Sequence, residues 1–185
     1  MQASNSDAHM NLSRKLRLAC LILVVVCTVG CDQTAKHIAR RQLNQTGPIV
    51  LSGGLVELRL AENPGSFLSL GALLPKPARF SFFTLGVGAG LAVMAAFLVR
   101  RPPLDMWRFL GLSLVLAGGI SNLLDRLLRN GLVTDFITVR AGPFQTGIFN
   151  AADVLIILGT GLIIFAFRKR ATPDSPANPM QQTRG

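Results

Sequence analysis

Leu16–Lys36 reads LRLACLILVVVCTVGCDQTAK, and two folds compete for it. With Arg14, Lys15 and Arg17 in front, an apolar run ending in Thr28-Val29-Gly30-Cys31 has the layout of a bacterial lipoprotein's signal sequence: basic, then apolar, then small residues before a cysteine. The alternative is the first span of a multi-pass membrane protein. A lipoprotein precursor would carry one apolar segment and then a soluble domain, so the rest of the chain decides.

Three further segments are apolar: Ala78 to Val99, Trp107 to Leu124 and Ile148 to Phe167. The first, Leu18 to Cys31, supplies only about 14 residues or 21 Å of helix against a hydrocarbon core of about 30 Å, so it must run on to about Lys36 to span. Half of the 185 residues are apolar, 15% are charged, and the mean hydropathy is +0.45. The net charge of +10 does not point to nucleic acid, because the cations flank apolar runs and are not interleaved with aromatics. The expectation is an all-α membrane protein with four transmembrane helices.

Cation clusters beside the span ends (Arg14, Lys15, Arg17; Arg100, Arg101; Arg168, Lys169, Arg170) place both termini in the cytoplasm. Residues 1–13 are polar and predict a disordered extension, with Met10 a second possible start. Residues 171–185 predict a disordered cytoplasmic tail, leaving 14–170 as the membrane domain. Cys20, Cys27 and Cys31 form one helical stripe, read as small residues at a helix contact.

Between the first two spans, Val56, Leu58 and Leu60 alternate with Glu57 and Arg59 after a Gly53-Gly54 turn. The alternation predicts a half-buried strand, part of a small extracytoplasmic β-platform. Glu62-Asn63-Pro64-Gly65-Ser66-Phe67 follows as a turn able to present the Asn63 amide to a ligand.

Charges at membrane depth are costly and have a partner or a task. Asp32 and Lys36, at i and i+4, are expected to pair. Asn122, Asp125 and Arg126 share a helix face, beside Gly118-Gly119, where a second backbone or a peptide can come close. Gly131 ends that helix, and Val133–Ile137 reads as extended, with Asp135 among apolar neighbours. Asp153 opens the fourth span.

Asp125, Asp135 and Asp153 therefore converge near the outer face. Of two adjacent carboxylates one keeps its proton while the other acts as base on water, the logic of an aspartic protease. Arg126 beside Asp125 suits a structural clamp. Asp135 and Asp153 are the expected catalytic pair, with Gly142-Pro143 folding the chain back between them; Asp125 is the alternative partner of Asp153, because Arg129 is near enough to alter the picture for Asp135. A proton-coupled transporter is the weaker alternative, since four short helices leave little room for alternating access. No metal or other cofactor is implied, because the aspartates come without His or Cys at ligand spacing.

Five segments in order carry a resemblance: Asp32-Gln33-Thr34-Ala35-Lys36, Asn63-Pro64-Gly65, Asn122-Leu123-Leu124-Asp125-Arg126, Arg129 to Phe136, and Phe149-Asn150-Ala151-Ala152-Asp153. They resemble the motifs of the signal peptidase II family, the lipoprotein signal peptidases. The resemblance implies a four-helix inner-membrane aspartic endopeptidase with a small extracytoplasmic β-cradle. Such an enzyme cuts diacylglyceryl-modified prolipoproteins just before the lipidated cysteine, acts among membrane lipids, binds no nucleic acid and is expected to be a monomer. Its catalytic pair matches Asp135 and Asp153. Asp32, Lys36, Asn63, Gly65, Gly119, Asn122, Asp125, Arg126, Asn150 and Ala152 are the expected substrate-binding or supporting residues.

The departures are a loop one residue shorter between Asn63 and Phe67, Ser121 in place of the usual Gly, and Thr146-Gly147 where Trp-Pro is common. They predict a divergent paralogue, and at the extreme a relative that binds lipopeptides without cutting.

Overall fold

The computed structural model describes residues 2–65, 74–100 and 104–171, with side chains over 14–65, 74–75, 77–100 and 104–169. Ser66 and Phe67, and the tail beyond 171, lie outside the described residues. Four helices are long and apolar enough to cross a membrane, and they contain Arg14–Thr46, Pro77–Arg100, Met106–Leu128 and Ala151–Lys169.

Helix α1 (Gln2–Thr46) has a helical backbone through the segment whose composition predicts an unstructured extension, since adding residues to an existing helix is easy compared with starting one. At its other end α1 runs a further ten or so residues past Lys36, because Asp32, Lys36, Ala39 and Leu43 form one buried stripe at i, i+4, i+7 and i+11. The three cysteines do not form the helix contact that the sequence predicts. Cys20, Cys27 and Cys31 are exposed, because the contact face of α1 is the one bearing Leu21, Val25, Asp32 and Lys36.

The second span opens with α2 (Lys76–Phe80), passes through a π-helical segment, Ser81–Gly86, and continues as α3 (Val87–Arg100). Helix α4 (Met106–Leu128) starts at Asp105, whose carboxylate accepts the Arg108 N–H at 3.1 Å, and ends just before Gly131 as the sequence predicts. It packs most closely on α5 (Ala151–Ala171). A Cβ on Gly118 would lie 2.6 Å from the Ala152 carbonyl and one on Gly111 2.7 Å from that of Gly159, so small residues let the two backbones touch. The fourth helix begins at Ala151, three residues later than expected, because Phe149 is still bridged to β3.

The extramembrane sheet is antiparallel in the order β1 (Ile49–Leu51), β2 (Val56–Asn63), β3 (Val133–Ala141), β4 (Phe144–Gln145). Gly142-Pro143 forms the β3–β4 hairpin turn. One sheet face lies on the C-terminal end of α1, where Phe136 packs with Ala39 and Leu43, joined by Leu58 and Leu60. Glu57, placed by period on a polar face, is buried by its ion pair with Arg140 at 2.6 Å.

Register in this sheet decides the site. Leu58 pairs with Ile137 but Ala61 with Asp135, so Arg59 and Leu60 together face Phe136 in a bulge. Beyond it Asn63 pairs with Val133, which puts Asn63 on the face that bears Asp135. Without the extra residue Asn63 would sit opposite Leu132 and point to the other face.

Candidate active site

Two carboxylates reach the site from different elements and meet at one asparagine. Asn150 precedes α5 and caps it: its Oδ1 accepts the Asp153 N–H at 3.0 Å, and Asp153 Oδ2 accepts the Asn150 N–H at 3.1 Å. This is a reciprocal capping box spelled Asn-Ala-Ala-Asp, and it fixes the Asp153 rotamer with one backbone donor. The Asn150 side chain also donates through Nδ2 to Asp135 Oδ1 at 2.7 Å. The bridge between Ile137 and Phe149 brings Asn150 alongside β3 for that contact, with Phe136 and Ile137 both donating to the Phe149 carbonyl.

Asp135 is 2% exposed. Its other oxygen accepts Asn63 Nδ2 at 2.8 Å, while Asn63 Oδ1 accepts the Gly65 N–H at 2.9 Å in an Asx turn. Gly65 has φ +96°, and a Cβ there would meet the Phe83 ring at 2.8 Å, so both backbone and space require glycine. Burial raises the Asp135 pKa from 3.8 to about 6. The Asn63 hydrogen bond opposes this, the nearby Asp153 charge adds to it, and Asn150 and Lys36 oppose it again.

Asp153 accepts Asn122 Nδ2 at 2.8 Å. Asn122 Oδ1 in turn accepts from Lys36 Nζ at 2.9 Å and from Asn150 Nδ2 at 3.1 Å. Lys36 is completely buried and pairs with Asp32 at 2.8 Å and Asp125 at 3.1 Å. One lysine therefore bridges two carboxylates and orients the amide that holds a third. Asp32 Oδ1 accepts the Ala152 N–H at 2.9 Å and so satisfies another amide of the first turn of α5.

Asp125 is a structural clamp in geometry, but its cations differ from the expected one. Besides Lys36 it pairs with Arg129 at 3.5 Å, and it accepts the Thr134 N–H at 3.1 Å, which ties the start of β3 to α4. Arg126, the sequence neighbour, turns away: it donates to the Asn122 carbonyl at 3.3 Å and lines the cavity.

That cavity has a volume of about 480 Å³. Asn63, Gly65, Gly119, Asn122, Arg126 and Asp153 line one part of it, and Phe83, Val87, Ile148, Phe149, Ile156 and Ile157 line the rest. A polar end beside the carboxylates and an apolar wall toward the membrane suit an extended peptide carrying an apolar group. Gly119 also packs against Leu91, whose side chain lies 2.5 Å from where a Cβ would be. Among the described residues no group of three or more His, Cys, Asp or Glu is placed to hold a metal ion.

The structure thus joins every sequence-predicted site residue into one network or its cavity wall. It adds three that the sequence does not mark as site residues, although Ser121 stands out as a departure and Gln33 lies within a motif. Ser121 donates to Asp32 Oδ2 at 2.6 Å, and Gln33 Nε2 donates to Ser121 Oγ at 3.0 Å and to Asp125 Oδ1 at 3.2 Å. Phe83 reaches Gly65 from the π-helical segment. The signal for Ser121 was a hydroxyl one residue before Asn122 on a helix already known to face the site; Phe83 left no signal.

A sequence model of signal peptidase (SPase) II matches residues 24–169 of the chain. The lipoprotein signal peptidase of Leifsonia xyli is 32% identical over 153 residues, covering 80% of this chain and 66% of that one. That of Treponema denticola is 32% identical over 181 residues, covering 90% and 100%. A bacterial membrane enzyme solved by the in meso method at 1.9 Å superposes with a TM-score of 0.70 at 26% identity, over 82% of this chain and 94% of that one.

Proposed function

The chain belongs to the signal peptidase II family, and from that premise we propose that it is a membrane aspartic endopeptidase that removes signal peptides from lipid-modified prolipoproteins, with Asp135 and Asp153 as its catalytic pair. The observation that carries the reading is Asn150, which touches both carboxylates and holds them in different environments.

The two environments suit different roles. Asp153 lines the cavity and takes the part of base toward a water molecule. Asp135, buried and protonated up to about pH 6, supplies the proton that the scissile carbonyl oxygen requires as it becomes an alkoxide. Its Oδ2 is held by Asn63, which itself lines the cavity, so displacement of the Asn63 amide by substrate opens Asp135 to the peptide. As the tetrahedral intermediate collapses, the C–N bond breaks, Asp153 gives the water's proton to the leaving nitrogen, and Asp135 takes its proton back from the hydroxyl that re-forms the carbonyl. Arg126 and Asn122 stand where they can bind substrate carbonyls; Asp32, Lys36 and Asp125 keep α1, α4 and α5 in register. The apolar wall takes the signal helix and the lipid.

The cation pattern supports an orientation with both termini in the cytoplasm and the carboxylates near the outer face of the bacterial inner membrane. The chain works as a monomer, since all the groups named come from it. The test is incubation of the purified chain in detergent with a diacylglyceryl-modified prolipoprotein and with its unmodified form. Conversion of the modified form alone to the mature size supports the reading. Saturable binding of the modified form without any cleavage overturns it in favour of a binding protein.

A further inference from the structure

At the end of the bundle away from the aspartates lies a second crevice, of about 250 Å³, between α1, α3 and α4. From Arg17 to Asp32 the helix α1 climbs about 15 residues, roughly 22 Å, so this crevice opens at the other membrane surface. Its lining is largely apolar: Leu18 and Leu21 of α1, Leu98 and Val99 of α3, and Phe109 of α4, with Leu21 and Leu98 buried and Leu18 and Val99 exposed. Its mouth carries Arg14, Lys15 and Arg17, and no carboxylate lines it. Asp105, one turn before Phe109, is already paired with Arg108 at 3.0 Å. None of the three mouth cations is paired with a carboxylate among the described residues.

We infer that this crevice is a binding site for an anionic diacyl phospholipid, with the head-group phosphate among Arg14, Lys15 and Arg17 and an acyl chain laid along Leu18, Leu98, Val99 and Phe109. Charge and shape select this occupant together. Three cations beside a membrane surface attract an anion, and an apolar slot leading directly from them into the hydrocarbon takes the chain joined to that anion. A free phosphate would use the cations and leave the slot unfilled. The site lies outside the catalytic network, so its occupancy can be tested without any reference to peptidase activity.

The test is native mass spectrometry of the full chain in neutral detergent with phosphatidylglycerol, against phosphatidylcholine of the same acyl chains. Wild type retains phosphatidylglycerol selectively. The triple variant Arg14→Gln, Lys15→Gln, Arg17→Gln binds it on the order of a hundredfold more weakly. Val99→Trp fills the slot while keeping every cation, and also lowers retention. A photoreactive phosphatidylglycerol added to the unmodified chain labels Leu18, Leu98, Val99 or Phe109, a readout that depends on no variant folding. Equal retention of the two lipids, an unchanged triple variant, an unaffected Val99→Trp, displacement by inorganic phosphate, or labelling elsewhere overturns the inference.

Discussion

Lys36 is the residue on which most of the buried charge depends. It is the ammonium between Asp32 and Asp125, and it also holds the amide of Asn122. Lys36→Met leaves two buried carboxylates without their shared cation, at a cost of about 3–5 kcal/mol. Thermal unfolding in detergent measures it, and a loss below 1 kcal/mol would show that Arg129 and Ser121 suffice to hold the network. Asp135 gives a prediction with a definite pH. Folding raises its pKa from 3.8 to about 6, so the folded state binds this proton more tightly than the unfolded one. The stabilisation is complete below pH 3.8 and is lost as pH rises through about 6. Asp135→Asn removes that slope, which unfolding midpoints of both proteins between pH 4 and pH 8 reveal. With Asp135 as the proton donor, kcat/KM of the free enzyme falls on the alkaline side with a pKa near 6. A profile flat from pH 5 to pH 8 contradicts that role.

At the scale of elements, the β2 bulge and the contact of α4 with α5 place the site. The bulge puts Asn63 on the face of Asp135, and Gly118 lets the start of α5 approach so closely that Ala152 reaches Asp32. Gly118→Val drives a branched side chain into the Ala152 carbonyl and the Ile156 side chain. Overpacking of this kind costs about 1–3 kcal/mol, and here the first turn of α5 moves, so cleavage falls further than stability does. Comparing turnover with unfolding midpoint for Gly118→Ala, Gly118→Val and the unaltered chain checks it; unaltered activity in both variants would mean that the helices part without disturbing Asp153. Hydropathy alone exposed the four spans, and alternation exposed β2. The bulge was not legible, because a one-residue slip between strands leaves no trace in the period of either. The partners of Asp125 were misread for a related reason: Arg126 is its chain neighbour, but helix geometry aims i+4, and so Arg129, at the carboxylate.

Taken as a whole, the molecule is a membrane bundle whose buried charged network sits at one end, where a small sheet closes over the helix ends. Motif order across Asp32 to Asp153 made the family readable in the sequence. The buried linkage between motifs was not, because contacts such as Lys36 to Asn122 and Asn150 to Asp135 join residues far apart in the chain. The orientation proposed from the cations predicts that a reporter fused after Ala171 is active in the cytoplasm and that one inserted at Gly142 is active outside. The reverse pattern would put the carboxylates on the wrong face for exported lipoproteins. The most direct test of the whole account is cleavage of a diacylglyceryl-modified prolipoprotein by purified Asp135→Asn, Asp153→Asn and Asp125→Asn proteins, with binding of the lipopeptide measured in parallel. The account predicts that the first two bind and do not cleave, while Asp125→Asn cleaves but unfolds at a lower temperature. Full cleavage by a stably folded Asp135→Asn or Asp153→Asn protein would contradict it.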